Sequence, residues 1–350
     1  MLDFKYTITD KILNKISEIE GLRQKISEVP LLPEREISLR LRATVEATHS
    51  STSIEGNPLT MRQVEKTLAS SKKLSKLEYA KIEVRNYKKA IEYIENETFT
   101  EREITLKNVL EIHRLITSDL LDSSRSGKIR FNPVYIENRE GTIVYEATPV
   151  DIVESELTAL LNWLNKTSLN IHPVIVAAIL HITFVAIHPF SDGNGRTARA
   201  LTSLYLKRYG YDFRGALVLD SYYASDREEY YRSIRNITGK NYRDFQSADF
   251  TSWLEYFIDG FLASAHILDA ETAILSTVVA PSKIKKLSRD ESDLLSYASE
   301  FETISLSEAT SILPSLSERS VQRKLKSLVE KKYLKKLSAG PQTLYKINRK

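Results

Sequence analysis

A buried apolar segment that ends at a glycine-rich polar loop constrains the fold of this chain more than any other feature. Val174 to Ile187 is an almost unbroken apolar run with the length of a buried helix. The next 12 residues, His188 to Arg199, have the sequence HPFSDGNGRTAR. Arg196 to Tyr209 then carries apolar residues at helical spacing. The pattern predicts a tight loop between two core helices, and this loop opens at the amino end of the second helix.

The amino end of that second helix is predicted to bind phosphate. Backbone N–H groups there lack intrahelical partners, and the helix dipole favours negative charge. Gly193 and Gly195 carry no side chain that would keep a phosphate away from the backbone. Arg196 and Arg199 lie three residues apart, so both project from one face of the first turn and would neutralise a polyphosphate.

The same loop carries groups suited to catalysis. Among its side chains, His188 alone has an unperturbed pKa, about 6.5, that suits a general base at neutral pH. Asp192 is a hard oxygen ligand of the kind that Mg²⁺ prefers. Asn194 either donates its amide to a phosphate oxygen or tolerates a left-handed turn, and the sequence leaves both readings open. The alternative for the whole loop is a glycine-rich turn with a structural histidine.

The segment 188–199 matches the motif HPFx[D/E]GNGRxxR at every specified position, so the chain resembles the Fic family of nucleotidyltransferases. The resemblance implies transfer of AMP from ATP to a Ser, Thr or Tyr hydroxyl of a target protein, or of the chain itself, with release of pyrophosphate. His188 would take the hydroxyl proton, and Asp192 would hold Mg²⁺. The implied nucleotide-binding residues are Gly193, Asn194, Gly195, Arg196 for the α- and β-phosphates, and Arg199 for the γ-phosphate.

A second match to the family precedes the loop. Ser51 to Gly56, with the sequence STSIEG, fits the inhibitory pattern [S/T]xxxE[G/N] and follows a helical pattern over 37–49. In the family this glutamate pairs with the second arginine of the loop motif. The resemblance therefore implies that Ser51, Glu55 and Gly56 are inhibitory residues, and that Glu55 prevents Arg199 from receiving the γ-phosphate. The alternative is an ordinary helix end at Gly56.

Two short runs rich in β-branched and aromatic residues predict a β-hairpin. They are 134–136 and 143–145, separated by a turn at 138–141. The resemblance implies that Val134, Tyr135 and Ile136 belong to a flap that aligns the target peptide by main-chain hydrogen bonds. A loop that merely covers the core is the alternative.

The adenine-binding residues are less clearly marked. Tyr230 or Tyr231 would line the adenine pocket, although paired tyrosines also pack as half-buried core residues. Family members often carry an asparagine that helps to hold the base. The corresponding residue here is Thr238, a departure that puts base recognition in doubt.

Helical periodicity predicts a mainly α protein. The resemblance implies a Fic-type helical core with a small β-hairpin flap, and the order of elements after residue 281 resembles a winged-helix domain. The predicted helices are 76–96, 105–120, 150–166, 174–187, 196–209, 226–238 and 247–279. Three parts are expected. They are an N-terminal helical regulatory segment (1–75), which ends in a polar stretch at 70–73, a catalytic core (76–280) and the winged-helix domain (281–350).

The last part of the chain carries its basic character. Residues 281–350 hold 15 Lys and Arg against 8 Asp and Glu, whereas the rest of the chain is slightly acidic. Helices over 291–299, 305–313 and 318–330, with a turn at Pro314, precede two strands at 333–337 and 343–347 with a turn at 339–341. Ser317 would cap the third helix. Three helices followed by two strands resemble a winged helix. The exposed side of the third helix has three possible roles: it enters a DNA groove, contacts protein or simply faces solvent. That side would carry Arg319, Gln322, Arg323 and Lys326.

Composition excludes some classes of function and leaves others open. The chain has no cysteine, which excludes disulfides and thiolate metal sites. Its N-terminus has no signal-peptide pattern, and its longest apolar run is too short for a membrane span, so a cytoplasmic protein without membrane contact is expected. A homodimer is left open. The alternatives to AMP transfer are transfer or removal of another nucleotide, phosphoryl transfer, and a DNA-binding regulator whose core senses nucleotide.

Overall fold

The computed structural model of this chain is mainly α-helical, as the periodicity predicts. It describes residues 3–68, 79–96, 103–137, 140–167, 170–276, 287–301, 303–313, 316–337 and 343–348. Several sequence predictions lie outside these residues. They are the domain boundaries after 75 and 280, the polar stretch at 70–73, and the turn residues 138–139, 314 and 339–341.

The chain divides into two compact units. The first comprises Met1–Glu28, Arg42–Glu95 and Glu101–Ala270, and the second comprises Val29–Leu41, Asn96–Thr100 and Glu271–Lys350. The predicted N-terminal segment (1–75) contributes residues to both units. Its first helix buries Ile12, Ile19 and Ile26, and Phe4 packs edge-on against Trp163 at 4.8 Å between ring centroids. Sequence periodicity detects such a helix but not the surface that it covers.

Each helix predicted between 76 and 276 is present in the described residues, with ends shifted by a few positions. A π-helical turn, Trp163–Thr167, follows the sixth helix. Two helices, Asp220–Ser225 and Tyr242–Gln246, were not predicted because they are too short to show a helical period. The helices up to residue 276 are α1 (Asp10–Glu28), α2 (Pro33–Ile54), α3 (Met61–Leu68), α4 (Tyr79–Asn96), α5 (Leu106–Thr117), α6 (Val153–Asn162), α7 (Pro173–Ile187), α8 (Asn194–Arg208), α9 (Asp220–Ser225), α10 (Arg227–Thr238), α11 (Tyr242–Gln246) and α12 (Thr251–Ser276).

Helix α7 forms the centre of the first unit. Pro173 occupies its first turn, where a missing N–H costs nothing, and the His172 side chain accepts a hydrogen bond from the Val174 N–H. Nearly every residue of α7 is buried, as expected for a helix that is apolar on all faces. It packs against α8, and the Trp253 indole N–H of α12 donates to the Ala178 carbonyl at 2.7 Å. In the described part of the chain, no helix has both the length and the apolar character of a membrane span.

The predicted hairpin is present as strands β1 (Tyr135–Glu137) and β2 (Ile143–Glu146), which pair antiparallel. Ile136 lies opposite Tyr145, and the register shifts at the next residue of β1. Two bonds attach the hairpin to the helical core: the Tyr145 hydroxyl donates to the Ala186 carbonyl at 2.9 Å, and the Glu146 N–H donates to the Lys240 carbonyl. The two strands are thus held in place by helices, because a two-stranded sheet is marginal alone.

The second unit contains three helices and a three-stranded antiparallel sheet. In chain order these are α13 (Arg289–Phe301), β3 (Thr303–Ser305), α14 (Leu306–Ile312), α15 (Glu318–Glu330), β4 (Leu334–Lys336) and β5 (Leu344–Ile347), with β5 at the centre of the sheet. Strand β3 was missed, because three residues show no alternating pattern. Ser317 caps α15 as predicted, and the predicted exposed residues of that helix are exposed: Arg319, Gln322, Arg323 and Lys326.

Candidate active site

The loop between α7 and α8 opens with an unusual backbone at His188. This residue ends α7 in a left-handed conformation (φ 53°, ψ 58°), while its N–H still donates to the Phe184 carbonyl. Its side-chain Nδ1 lies 3.1 Å from the Val185 carbonyl oxygen. Because a carbonyl only accepts, Nδ1 carries the proton and the Nε2 lone pair is available as a base. Burial is the main cause that lowers the pKa of His188, to about 4, so the ring is neutral at pH 7.

The loop is held by its own asparagine. Asn194 Oδ1 accepts from the Phe190 N–H at 2.9 Å, and Asn194 Nδ2 donates to the Phe190 carbonyl at 2.8 Å. The side-chain amide thus holds the loop, while the left-handed position belongs to Gly193 (φ 75°). Asn194 remains a predicted nucleotide-binding residue.

His113 supports the loop from the core side. Its ring stacks on Phe190, with centroids 3.6 Å apart and planes 5° apart. Its Nδ1 accepts from the Gly127 N–H at 2.9 Å, so its Nε2–H is the donor to the Asp192 carbonyl at 3.0 Å. No sequence motif marks His113, and the structure places it in the core as a support of the loop.

Arg130 joins the loop to the base of the hairpin. Its Nε donates to the His188 carbonyl at 2.8 Å, and its Nη1 donates to the Asn132 carbonyl at 2.9 Å. Its Nη2 donates to the Thr148 carbonyl, and its backbone N–H donates to the Pro189 carbonyl at 2.9 Å. No motif marks Arg130 in the sequence. Its role in holding the loop is seen only in the fold, which brings together the four carbonyl groups that accept its hydrogen bonds.

A cavity of about 360 Å³ opens above the loop, within the size range of small-molecule sites. The amino end of α8 faces it. The first intrahelical bond of α8 runs from Thr197 N–H to the Gly193 carbonyl, so the N–H groups of residues 194–196 have no helical acceptor. The predicted site residues that line the cavity are Glu55, Val134, Tyr135, Ile136, His188, Asp192, Gly193, Asn194, Gly195 and Arg199.

Arg199 is buried and is bound by Ser51 of α2 and by Glu55, the residue that follows this helix. Its Nε donates to Ser51 Oγ at 2.7 Å, and its Nη2 donates to the Ser51 carbonyl at 2.9 Å. The same Nη2 donates to Glu55 Oε1 at 2.8 Å, which is the contact that the resemblance predicts. Burial alone would raise the pKa of Glu55, but the charge and hydrogen bond of Arg199 outweigh burial and lower it. Glu55 is therefore a carboxylate at neutral pH.

The Glu55 carboxylate also lies against the amino end of α8. A methyl group added at Gly195 would overlap Glu55 Oε1 and approach Arg199 Nη1. The carboxylate thus lies where the sequence predicts a bound phosphate. Gly56, which follows it, adopts a φ of 97° that side chains rarely allow. This turn directs Glu55 into the cavity without continuing the helix.

Arg196, which is predicted to bind the α- and β-phosphates, lies in different surroundings from Arg199. It is buried and does not line the cavity. Its Nη1 lies 2.6 Å from Glu83 Oε1 on α4, and its Nη2 lies 3.6 Å from Asp192 Oδ1. Glu83 is itself buried, and burial is the main cause that raises its pKa. No sequence pattern connects Glu83 with Arg196, because a single acid on a helix has no characteristic spacing.

The side chains fit one Mg²⁺ ion bound with a nucleotide. The Asp192 side chain is 51% exposed at the cavity. In the part of the chain that the structure describes, no cluster of three or more metal-ligating side chains occurs. Mg²⁺ is commonly bound through one or two carboxylates, with phosphate oxygens and waters at its other positions. A single carboxylate beside a predicted phosphate site suits that pattern.

The two tyrosines considered for the adenine pocket both line the cavity. Tyr230 is buried, and its hydroxyl lies 2.9 Å from Nε2 of the core residue His181. The Tyr231 hydroxyl donates to the Ile54 carbonyl at 3.2 Å. Thr238, where family members often carry asparagine, also lines this cavity. These residues form its wall on the side of α10.

Comparison with known proteins supports the resemblance. Residues 103–206 match the model of the Fic/DOC family, so the chain carries a domain of that family. It is 34% identical to the protein adenylyltransferase Fic of Drosophila virilis over 201 residues, which are 55% of this chain and 39% of that protein. It is 36% identical to the protein adenylyltransferase fic-1 of Caenorhabditis elegans over 135 residues, which are 38% of this chain and 24% of that protein. The chain thus spans less than half the length of these curated relatives.

Solved structures show the fold. A Fic family protein from Desulfovibrio desulfuricans G20 aligns with a TM-score of 0.64 and 24% identity, over 99% of both chains. A segment of Fic-1 from C. elegans aligns with a TM-score of 0.59 over 76% of this chain and 73% of that one. The prediction of a mainly α, Fic-type fold is confirmed.

His188 provides a test of the site geometry by NMR. We expect its imidazole to titrate with a midpoint near pH 4, because burial disfavours the charged ring. The ring should therefore stay neutral from about pH 5.5 to 8, with its proton on Nδ1. Nitrogen chemical shifts of labelled histidine would report both properties, with His188→Gln used to assign the signal. A midpoint near the usual value of about 6.5, or a proton on Nε2, would contradict this geometry.

Proposed function

We propose that this chain is a protein adenylyltransferase that transfers AMP from ATP to a Ser, Thr or Tyr hydroxyl of a target protein, or of the chain itself. The observation that carries the proposal is that a neutral histidine, His188, and the amino end of α8 line the same cavity. The curated relatives named as adenylyltransferases support it. Because the chain spans less than half of their length, its activity and its target are inferred.

The proposed reaction is an attack of the acceptor hydroxyl oxygen on the α-phosphorus of ATP. The bond from that phosphorus to the oxygen bridging the β-phosphate breaks, and pyrophosphate leaves. The hydroxyl proton goes to Nε2 of His188, since Nδ1 already carries a proton that it donates to Val185. The N–H groups of residues 194–196 would stabilise charge on the phosphates, and positioning with charge neutralisation would supply most of the rate.

Mg²⁺ is part of the proposal. Asp192 would hold it, and the ion would neutralise charge on the nucleotide phosphates when bound. Arg196 would bind the α- and β-phosphates from beside Asp192, with Glu83 as its second partner. Arg199 would bind the γ-phosphate.

We infer that Glu55 restrains the reaction. Its carboxylate accepts a hydrogen bond from Arg199 and occupies the space next to Gly195. It therefore competes with the γ-phosphate for Arg199 and the amino end of α8. Ser51 supports this arrangement because its hydroxyl and carbonyl both accept from Arg199. Removing the carboxylate should therefore allow the phosphates to bind in the orientation needed for transfer.

The hairpin would align the target. Val134, Tyr135 and Ile136 line the cavity that contains His188, and Tyr135 is exposed. An extended target segment could add to the edge of this hairpin by main-chain hydrogen bonds and present its hydroxyl to His188.

Label transfer from ATP to protein tests the proposed reaction. ATP labelled at the α- or γ-phosphate is supplied with cell proteins to wild type, Glu55→Gly and His188→Ala. We expect α-label only, increased about tenfold or more in Glu55→Gly because the competing carboxylate is gone. In the Glu55→Gly background, His188→Ala should lower the rate by about 100- to 10,000-fold through loss of the base.

A matched control is His266→Ala, which removes a half-exposed histidine of α12 that does not line the cavity. This variant should retain transfer. Label from the γ-phosphate would instead indicate a kinase-like reaction. No transfer from any variant would contradict the adenylyltransferase and favour a nucleotide-sensing regulator or another nucleotide donor.

We also propose that the second unit is a winged-helix domain that binds DNA. Its order of elements and its three-stranded sheet support the first part of this proposal. The second part rests on exposed basic residues of α15 and β4. They are Arg319, Arg323, Lys326, Lys335 and Lys336.

Fluorescence anisotropy with duplex DNA tests this second function. Arg323→Ala and Lys326→Ala should each weaken binding and reduce its dependence on salt by about one unit of slope, because a phosphate contact is lost. Glu330→Ala, which removes an exposed acid of the same helix, should not weaken it. Binding that is absent, or unchanged by the two basic substitutions, would contradict a DNA contact through α15.

A further inference from the structure

We propose that Glu83 and Asp220 are positioning residues that hold the two phosphate-binding arginines in place, whereas Glu55 is a removable competitor. This inference rests on the proposed function, since it concerns the same anion site. Besides Asp192 of the loop, three carboxylates contact the two arginines, and of these three only Glu55 belongs to a motif that the resemblance identifies. The other two differ from Glu55 in burial, in location and in what surrounds them.

Glu83 is the partner of Arg196. Its side chain is 7% exposed and that of Arg196 is 4% exposed, so the pair is shielded from water. Glu83 Oε2 accepts a hydrogen bond of 2.7 Å from Asn57 Nδ2, and the same amide donates to the Ala80 carbonyl at 2.8 Å. Glu83 is therefore fixed at both oxygens, one by Arg196 and one by Asn57.

Asp220 is a second partner of Arg199. Its Oδ1 lies 3.2 Å from Arg199 Nε, and its side chain is 6% exposed. The hydroxyl of buried Tyr87 donates to the same oxygen at 3.5 Å. Burial is the main cause that raises the pKa of Asp220, whereas the charge of Arg199 opposes this rise. A buried carboxylate of this kind is tolerated because it has a charged partner and hydrogen bonds.

Glu55 has a different location. It follows the last residue of α2, its side chain is 29% exposed, and it lines the cavity. Glu83 and Asp220 lie within helices α4 and α9 and do not line the cavity. An entering phosphate would thus compete with Glu55 directly for Arg199, whereas the other two carboxylates would act on it only through the arginines that they hold.

These contacts of Arg199 leave one of its N–H donors available for a phosphate. Arg199 uses Nε toward Ser51 and Asp220, and Nη2 toward Ser51 and Glu55. Its buried Nη1 has no hydrogen-bond partner among the described residues, and it lies near Gly195 at the amino end of α8. With Glu55 displaced, Asp220 would keep the guanidinium oriented while Nη1 and Nη2 bind the anion. Such prior orientation lowers the cost of ordering the site when the nucleotide binds.

The test compares neutralised carboxylates in the active background. Glu83→Gln and Asp220→Asn are made in Glu55→Gly, and each keeps the size of the side chain while removing its charge. The control is Glu291→Gln in the same background. Glu291 is likewise a buried carboxylate in an ion pair, at 2.8 Å from Lys331 Nζ, but it lies in the second unit and touches neither arginine.

We expect Glu83→Gln and Asp220→Asn to lower kcat/KM for α-label transfer on the order of 100-fold, because the arginines lose their fixed orientation. ATP binding measured by calorimetry should weaken in both variants. The control should lose thermal stability to a similar extent but retain the transfer rate and the affinity for ATP. If a neutral variant fails to fold, Glu83→Asp or Asp220→Glu replaces it, since each keeps the charge but moves it by one methylene.

Two results would overturn the proposal. If Glu83→Gln or Asp220→Asn in the otherwise wild-type chain raised transfer as Glu55→Gly does, that carboxylate would be a restraint. If both variants behaved like the Glu291→Gln control, their role would be stability alone.

Calorimetry separates this inference from the proposed function. A Glu55→Gly chain that transfers no AMP refutes the reaction, while the ATP affinities of its variants still test the positioning role.

Discussion

The contact between the Glu55 carboxylate and Arg199 determines the arrangement of charges at the candidate active site. Glu55 places a negative charge at the amino end of α8, against Gly195 and in hydrogen-bond contact with Arg199. Free N–H groups, the helix dipole and a guanidinium all favour an anion at this place. The chain supplies that anion itself. In the proposed function, nucleotide binding would therefore be an exchange of one anion for another, and the free energy of that exchange would set how strongly the proposed reaction is restrained.

Such an exchange requires a rigid frame. Helix α7 is buried on all sides and fixes the point at which the loop begins. Asn194 closes the loop through both groups of its amide, and Arg130 connects its carbonyls to the base of the hairpin. His113 packs beneath it. Because these contacts use the backbone of the loop, the side chains of His188 and Asp192 are left to face the cavity.

The sequence predicts the parts of this site that follow local rules. The apolar run and the glycines indicate a loop at a helix start, and the extent of α15 and its cap agree with the structure to the residue. The pairing of Glu55 with Arg199 came from the resemblance, since no spacing rule connects residues so distant in the chain. The burial of Arg196 against Glu83 was missed for the same reason. Strand β3 and helices α9 and α11 are too short to leave a periodic signal.

The most direct test of the exchange is a pair of crystal structures with a non-hydrolysable ATP analogue, one of the wild-type chain and one of Glu55→Gly. In the variant, we expect the γ-phosphate to contact Arg199 and the α-phosphorus to lie within reach of a hydroxyl bound at His188. In the wild type, Glu55 should remain on Arg199, and the phosphates should lie elsewhere. If the γ-phosphate contacted Arg199 identically in both structures, with Glu55 unmoved, the carboxylate would not compete with phosphate and the central claim would be wrong.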